Sequence, residues 1–311
     1  MVTNLFSIDR RLLIRFDWIL FFITIIITTL GVLNLYSASF SINSSGIIYK
    51  KQICWLFLGS LLLFCSSFIN YSYLERYAYI LYFFSIILLI IVIFSGELIG
   101  GSRRWLSFGA LKFQPSELSK ITLILALAKY FKQKHSSNEF SFFSLFLSFL
   151  LLSLPFLLIF LQPDLSTALI LFLIYLSLLI FLKMRLRFIF FLIICLIVAI
   201  PFSWNLLKPY QKERVRGFLN PQSDPLGKGY QIIQSKITIG SGKFLGKGFM
   251  GGTQTQLNFI PEKYTDFVFS VFCEEWGFLG AIFLLLLYFL LFLRSLCIVI
   301  NAKDSFGIIL G

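Results

Sequence analysis

Asp266 stands where a polar stretch passes into a long apolar run, just after Pro261-Glu262 and Thr265. A carboxylate there could accept a proton from a hydroxyl nucleophile. It could equally cap the helix that begins there, since Thr and Asp both suit a helix start. Glu262, about one helical turn earlier, is a second candidate base. The same polar stretch carries Lys208, Lys212, Arg214, Arg216, Lys228, Lys236, Lys243, Lys247 and Lys263, and an earlier loop carries Arg103 and Arg104. Lys and Arg beside flexible glycine segments suit a phosphate or diphosphate. The glycines at 227, 229, 240, 242, 246 and 248 match no P-loop, and a solvated basic loop near anionic lipid is the alternative. Glu117 and Lys120 are three apart and share a helix face. They form either an ion pair that fixes packing or a site where Lys120 faces a cavity and binds an anionic head group; the two readings are compatible. Glu274-Glu275, two turns into the last long apolar run, read as buried hydrogen-bonding partners rather than catalysts. Asp164, after Pro163, reads as a helix cap, with a place in an outer cavity as the alternative.

The elements that must position these residues lie in a membrane. Hydrophobic residues make up 58% of the 311 residues and charged residues 13%, about half the soluble norm of roughly 25%. No soluble core with a charged shell fits this composition, so the chain is an all-α polytopic membrane protein. The first apolar run is too long for a signal peptide and has no small-residue cleavage site. The formal net charge of +13 is therefore read by side of the membrane rather than as a nucleic-acid signal. Cys54, Cys65, Cys195, Cys273 and Cys297 all lie in apolar runs and read as small core residues. The single histidine, His135, excludes a histidine-based metal site.

About eight spans are expected, near 17–38, 53–70, 77–95, 115–131, 140–161, 165–182, 188–204 and 267–293. Arg10, Arg11 and Arg15 place the N-terminus in the cytoplasm, and Lys129, Lys132, Lys134, Lys183, Arg185, Arg187 and Arg294 mark later inner loops. The stretch 205–266 is then one long extracytoplasmic loop between spans seven and eight, since long loops translocate largely regardless of charge. With Trp204 at its edge and Tyr210, Tyr230, Phe244, Phe249 and Tyr264 inside, it is too aromatic to be a disordered tail. Phe306 to Leu310 reads as the opening of a further span, and the chain as a truncated membrane protein.

Taken together, the motifs resemble the SEDS family (shape, elongation, division and sporulation), in its RodA branch. The resemblance rests on Tyr36-Ser37-Ala38-Ser39, Arg104-Trp105-Leu106, Gln114-Pro115-Ser116-Glu117 with Lys120, and Gln162-Pro163-Asp164 with Thr167-Ala168. It continues through Pro225, Gly227, Gly229-Tyr230-Gln231, Gln234-Ser235, Gly240-Ser241-Gly242, Gly246, Gly248, Gly252-Thr253-Gln254, Pro261-Glu262, Thr265-Asp266-Phe267 and Glu274-Glu275 with Gly277. These run in order along nearly the whole chain as a single membrane domain. The family has ten spans, so the resemblance implies that the last two are absent.

The resemblance also implies a peptidoglycan glycosyltransferase that polymerises lipid II at the outer face of the bacterial inner membrane during elongation. The implied partners are a class B penicillin-binding protein and other elongation-complex proteins. It implies Asp266 as the essential carboxylate, taking the proton of an acceptor hydroxyl during an inverting transfer. Lys120, Glu117, Arg104, Lys243, Lys247 and Glu262 are the residues expected to hold substrate. A divalent cation could assist the diphosphate; the sequence shows no metal-ligand cluster, and no resident cofactor is assigned. A lipid II flippase is the alternative, but it requires ionisable residues at mid-membrane depth, whereas here they cluster at outer span ends. A non-catalytic scaffold of the elongation complex is the third reading.

Overall fold

The computed structural model describes residues 16–40, 45–99, 102–109, 111–135, 142–184, 186–206, 209–224 and 227–311. Arg10, Arg11, Arg15, Arg185 and Lys208 lie outside the described residues, so their place in the inner-loop argument rests on the sequence. The chain is mostly helical, as expected. Its long helices are α1 (Trp18–Ser39), α2 (Ser45–Ser66), α3 (Tyr71–Ser95), α4 (Pro115–His135), α5 (Phe142–Leu161), α6 (Leu165–Phe181) and α7 (Leu186–Leu206). Then come α8 (Pro209–Leu219), a 3-10 turn at Pro221–Ser223, α9 (Lys228–Ser241), the short α10 (Thr253–Gln256), α11 (Val268–Ile300) and α12 (Ser305–Leu310). Among the described residues five helices, α1, α2, α3, α5 and α11, are long and apolar enough to cross a membrane. An apolar run in lipid must be helical, because only a helix satisfies its own N–H and C=O groups within the segment.

Two boundaries differ from the sequence reading. Lys50 and Lys51, which precede the span expected near 53–70, lie exposed on α2; long lysine stems run along apolar surface while the ammonium reaches polar surroundings, so the helix starts earlier than the charges suggest. Tyr71 to Arg76, read as a turn, is already α3, because the Asn70 side chain accepts the Ser72 N–H at 3.0 Å and caps the helix. The three-stranded antiparallel sheet β1 (Glu97–Ile99), β2 (Ser102–Phe108) and β3 (Leu111–Phe113) was not foreseen. Its second turn uses Gly109 at φ +64°, a conformation glycine adopts without steric cost. Lys112 pairs with Glu97 at 3.3 Å, and hydrogen bonds from Ser107 and Lys112 hold the Glu97 carboxyl below its ordinary value.

The chain forms two compact units, one of residues 1–68 and 199–296, the other of residues 69–198 and 297–311. In the second, α3 packs along α4, and α5, α6 and α12 complete a core that includes Leu89, Leu127, Leu152, Leu171 and Phe306. Polar side chains tie the helices where apolar packing has no driving force against lipid. Ser85 meets Thr122 at 2.8 Å, Ser148 meets Tyr175 at 2.8 Å, and Gln162 donates to the Leu89 carbonyl at 3.0 Å. Lys132 bridges Glu75 and Asp304, which seats the short α12.

In the first unit, α1 and α11 run antiparallel and are locked at both ends. At one end Asp17 caps α1, accepting the Leu20 N–H at 2.9 Å, and also receives Arg294 Nε at 2.8 Å. At the other, Asn34 donates to the Val268 carbonyl at 2.8 Å, and the Ser37 hydroxyl donates to Glu275. Partial burial works against the Asp17 charge, but Arg294 and the Leu20 N–H outweigh it and hold the carboxyl below its ordinary value. Such a group stabilises the fold above its unfolded pKa of about 3.9, and the contribution is lost as pH falls through the lower native value. Asp17→Asn keeps the cap but removes the ion pair with Arg294, and is therefore expected to cost up to about 1 kcal/mol at neutral pH. Thermal unfolding in detergent checks this, and the difference from wild type should shrink below about pH 4.

Candidate functional site

The site in the first unit is built around a broken helix. At Gly277 the backbone of α11 takes φ +66°, ψ −162°, which interrupts the helix and frees main-chain groups on both sides. The glycine-rich segment after α9 satisfies them. Lys247 N–H donates to the Glu274 carbonyl and Gly248 N–H to that of Glu275, both at 3.0 Å. Phe278 N–H returns to the Lys243 carbonyl at 3.0 Å and Leu279 N–H to that of Phe244 at 3.2 Å. The two backbones approach so closely that side chains are excluded. A Cβ on Gly277 would lie 2.2 Å from Gly246 N, and one on Gly246 would lie 2.1 Å from the Glu275 carbonyl oxygen.

Glu274, fully buried, holds the next segment. Its Oε1 accepts from Lys247 Nζ at 2.7 Å and Gln254 N–H at 2.9 Å. Its Oε2 accepts the Thr255 N–H at 3.0 Å and the Thr255 hydroxyl at 2.7 Å. The carboxylate thus caps α10, and hydrogen bonds to a charged group are worth about 1.5–3 kcal/mol each. Gly252 has to be glycine here, because a Cβ would sit 2.7 Å from Oε2. Glu275, also buried, accepts from Ser37 of the Tyr36-Ser37-Ala38-Ser39 motif, and Tyr36 stacks on Phe249 at a centroid distance of 6.4 Å. Both glutamates are buried hydrogen-bonding partners.

Asp266 lies outside this network. It is exposed, in the turn before α11 begins at Val268. Among the described residues nothing donates to or pairs with its carboxylate, so the capping alternative has no hydrogen bond behind it. Backbone bonds within the turn set its local position. Glu262, in the left-handed region at φ +50°, accepts the N–H groups of Thr265 and Asp266 at 3.1 Å and Phe267 at 3.3 Å on its carbonyl. The Glu262 carboxylate is exposed and accepts from the Thr265 hydroxyl at 3.2 Å.

The cations expected to hold substrate differ in how free they are. Lys243 is exposed, and among the described residues its ammonium has no partner. Lys247 is engaged by Glu274 and by the Thr253 hydroxyl at 2.7 Å. In the second unit, Lys120 pairs with Glu117 at 2.8 Å, with Glu117 the more exposed of the two. Arg104 donates to the Pro163 carbonyl at 2.7 Å and lies 3.6 Å from Asp164. Asp164 caps α6 through the Thr167 N–H and hydroxyl. Lys263 is the residue that sequence reasoning missed, having grouped it with the loop cations suited to a phosphate or diphosphate. It is only 2% exposed, and its ammonium donates to the Thr255 carbonyl at 2.6 Å. Burial pushes its amine below the usual lysine range. The stretch around it, Pro261-Glu262-Lys263-Tyr264-Thr265-Asp266, is polar and carries no local signal of this burial.

Gly277→Ala places a side chain against backbone at a left-handed position, and strain of that kind costs about 1–3 kcal/mol before the lost hydrogen bonds are added. A loss of at least about 2 kcal/mol in thermal unfolding is expected. Gly59→Ala, where a Cβ meets nothing within 4 Å, serves as the control and leaves stability unchanged or slightly raised.

Comparison with known proteins agrees with this geometry. A family profile for FtsW, RodA and SpoVE, described as "Cell cycle protein", matches residues 17–311. Peptidoglycan glycosyltransferase MrdB of Escherichia coli K12 is 38% identical over 279 residues, covering 88% of this chain and 75% of its own length. A probable peptidoglycan glycosyltransferase FtsW of Wigglesworthia glossinidia brevipalpis is 34% identical over 296 residues, covering 94% of this chain and 76% of its own. Among solved structures, a peptidoglycan synthase complex that coordinates polymerization and crosslinking aligns with a TM-score of 0.78 and 33% identity, over 95% of this chain and 81% of that one. The rod shape determining protein RodA of Thermus thermophilus aligns with a TM-score of 0.68 and 28% identity, over 95% and 79%. A match that runs through both units, from the Asp17 cap across the Gly277 break to the last residue, means that this chain belongs to the FtsW, RodA and SpoVE family of cell cycle proteins.

Proposed function

We infer that this chain is a peptidoglycan glycosyltransferase that polymerises lipid II at the outer face of the inner membrane, with the N-terminus in the cytoplasm. The observation that carries the reading is Asp266, an exposed carboxylate without a partner among the described residues, in a backbone-bonded turn at the head of an apolar helix. The carboxylates nearest to it in the chain, Glu262, Glu274 and Glu275, each have one. The relatives named peptidoglycan glycosyltransferase support the reaction class.

In the proposed step the C4 hydroxyl of one GlcNAc attacks the anomeric carbon of a MurNAc diphosphate. The new glycosidic bond forms as the bond to the diphosphate breaks, with inversion. Asp266 takes the hydroxyl proton, and the electron pair leaves with the undecaprenyl diphosphate. Cations stabilise the charge that develops there. Lys243 is proposed for this role in the first unit because its ammonium is uncommitted; Lys247 is committed to Glu274 and supports the fold. Within the second unit, Lys120 beside Glu117 is proposed to hold an anionic substrate group, and Arg104 to support the Pro163-Asp164 corner. The proposed partner is a class B penicillin-binding protein, a reading favoured by the likeness to a synthase complex.

The test is polymerisation of labelled lipid II by the purified chain with its penicillin-binding partner. Asp266→Asn preserves shape and removes the base, and a loss on the order of 100-fold or more is expected. Equal polymer from wild type and the variant would remove Asp266 as the base and move attention to Glu262. Lys243→Ala is expected to lower activity on the order of 100-fold with folding stability unchanged, whereas Lys120→Ala costs at most about 1 kcal/mol of folding stability, because Glu117–Lys120 is an exposed pair.

A further inference from the structure

We propose that Glu274 and Lys263 are positioning residues for Asp266, and that Thr255 is the residue through which both act. The inference rests on the reading of Asp266 as the base and goes beyond it, since neither residue touches the reacting atoms.

Thr255 is fully buried, and its polar atoms are divided between two buried charges. Its N–H and hydroxyl both donate to Glu274 Oε2, and its carbonyl accepts from Lys263 Nζ. A buried anion and a buried cation are thereby joined through a single residue. Such charges are tolerated only when fully hydrogen-bonded, and removing one partner leaves the other uncompensated. The link therefore behaves as one unit, either complete or costly.

The consequence falls on Asp266. Lys263 lies in the turn whose backbone is gathered by the Glu262 carbonyl, the same carbonyl that takes the Asp266 N–H. Asp266 has no side-chain partner of its own among the described residues. Its placement is that of the turn, and the turn is tied to α10 by Lys263 and from there to α11 by Glu274. At its other end the turn runs straight into α11 at Val268. A base must sit within hydrogen-bond reach of the proton it removes, and a displacement of about 1 Å costs on the order of 100-fold in rate. The link is thus the part of the fold that sets how well the base is aimed.

Glu274→Gln risks misfolding because it removes a buried charge opposite Lys247, so the test is made at Thr255 and Lys263. Thr255→Val keeps the shape and removes the hydroxyl donor; Thr255→Ser restores it. Lys263→Met keeps the stem and removes the donor to Thr255. Two readouts are taken on the full chain with its penicillin-binding partner: kcat and KM for lipid II, and amide exchange through residues 260–267. Thr255→Val and Lys263→Met are each expected to lower kcat by roughly 10- to 100-fold with KM changed by less than about twofold. The double variant should lose no more than the worse single, as residues acting as one unit are non-additive. Exchange at 262–267 should rise in both variants, while Thr255→Ser behaves as wild type in both readouts.

Unchanged exchange at 262–267, unchanged kcat, or losses that multiply in the double variant would each overturn the proposal. The reading of Asp266 is judged separately: if Asp266→Asn polymerises as well as wild type, the base assignment fails, and the exchange data still decide whether the Glu274–Thr255–Lys263 link holds the turn.

Discussion

A backbone surrounded by lipid or apolar side chains has to find a partner for every N–H and C=O it exposes. The break in α11 at Gly277 creates such groups within a long apolar helix, and the segment 243–248 is what satisfies them. The four crossing bonds hold only because glycine stands at both 246 and 277, where any Cβ would meet backbone well inside van der Waals contact. A broken helix and a glycine-rich segment, each unsatisfied alone, therefore define one another. The rest of the first unit's polar machinery depends on where this interlock puts Glu274 and Glu275.

Those two glutamates show how charge is handled once it is buried. Glu274 gathers backbone, hydroxyl and ammonium donors from Ser241, Lys247, Thr253, Gln254 and Thr255. Glu275 turns to Ser37 on α1. Partnered carboxylates of this kind rigidify a fold, since each unmade bond in a medium of low dielectric is expensive. Asp266 is the opposite case: it sits at the end of the same construction, in an exposed turn, with its carboxylate left over. Both structural carboxylates are partnered, Glu274 on both oxygens and Glu275 on one, whereas the one proposed for chemistry has no partner among the described residues.

The second unit solves a different problem with the same means. Its helices have no hydrophobic drive to associate in lipid, and buried serine, threonine, tyrosine and glutamine side chains supply the specific contacts. The corner formed by Arg104, Pro163 and Asp164 joins the small sheet to the start of α6. Two residues that look like candidate chemistry in the sequence, Arg104 and Asp164, also serve packing there.

Much of this protein could be read from its residues. Long apolar runs with charges only at their ends admit no fold but membrane helices, because the lipid leaves no other way to satisfy a backbone, and Asp164 announced its cap by standing before an apolar run. The order of motifs from Tyr36 to Gly277 pointed to the family, and composition pointed to the membrane. What the sequence left open was decided by contacts between residues far apart in the chain. Lys243, Lys247 and Lys263 are three similar lysines on one polar stretch; only the folded backbone leaves the first without a partner among the described residues, and makes the second an ion-pair partner of Glu274 and the third a buried donor to Thr255. The sheet at 97–113 and the α2 start at Ser45 escaped for a related reason, since short strands and lysines that reach out along a helix carry little local signal. Periodicity reports the environment of a segment, whereas the role of a single charge depends on which distant backbone closes around it, and that is a property of the tertiary structure alone.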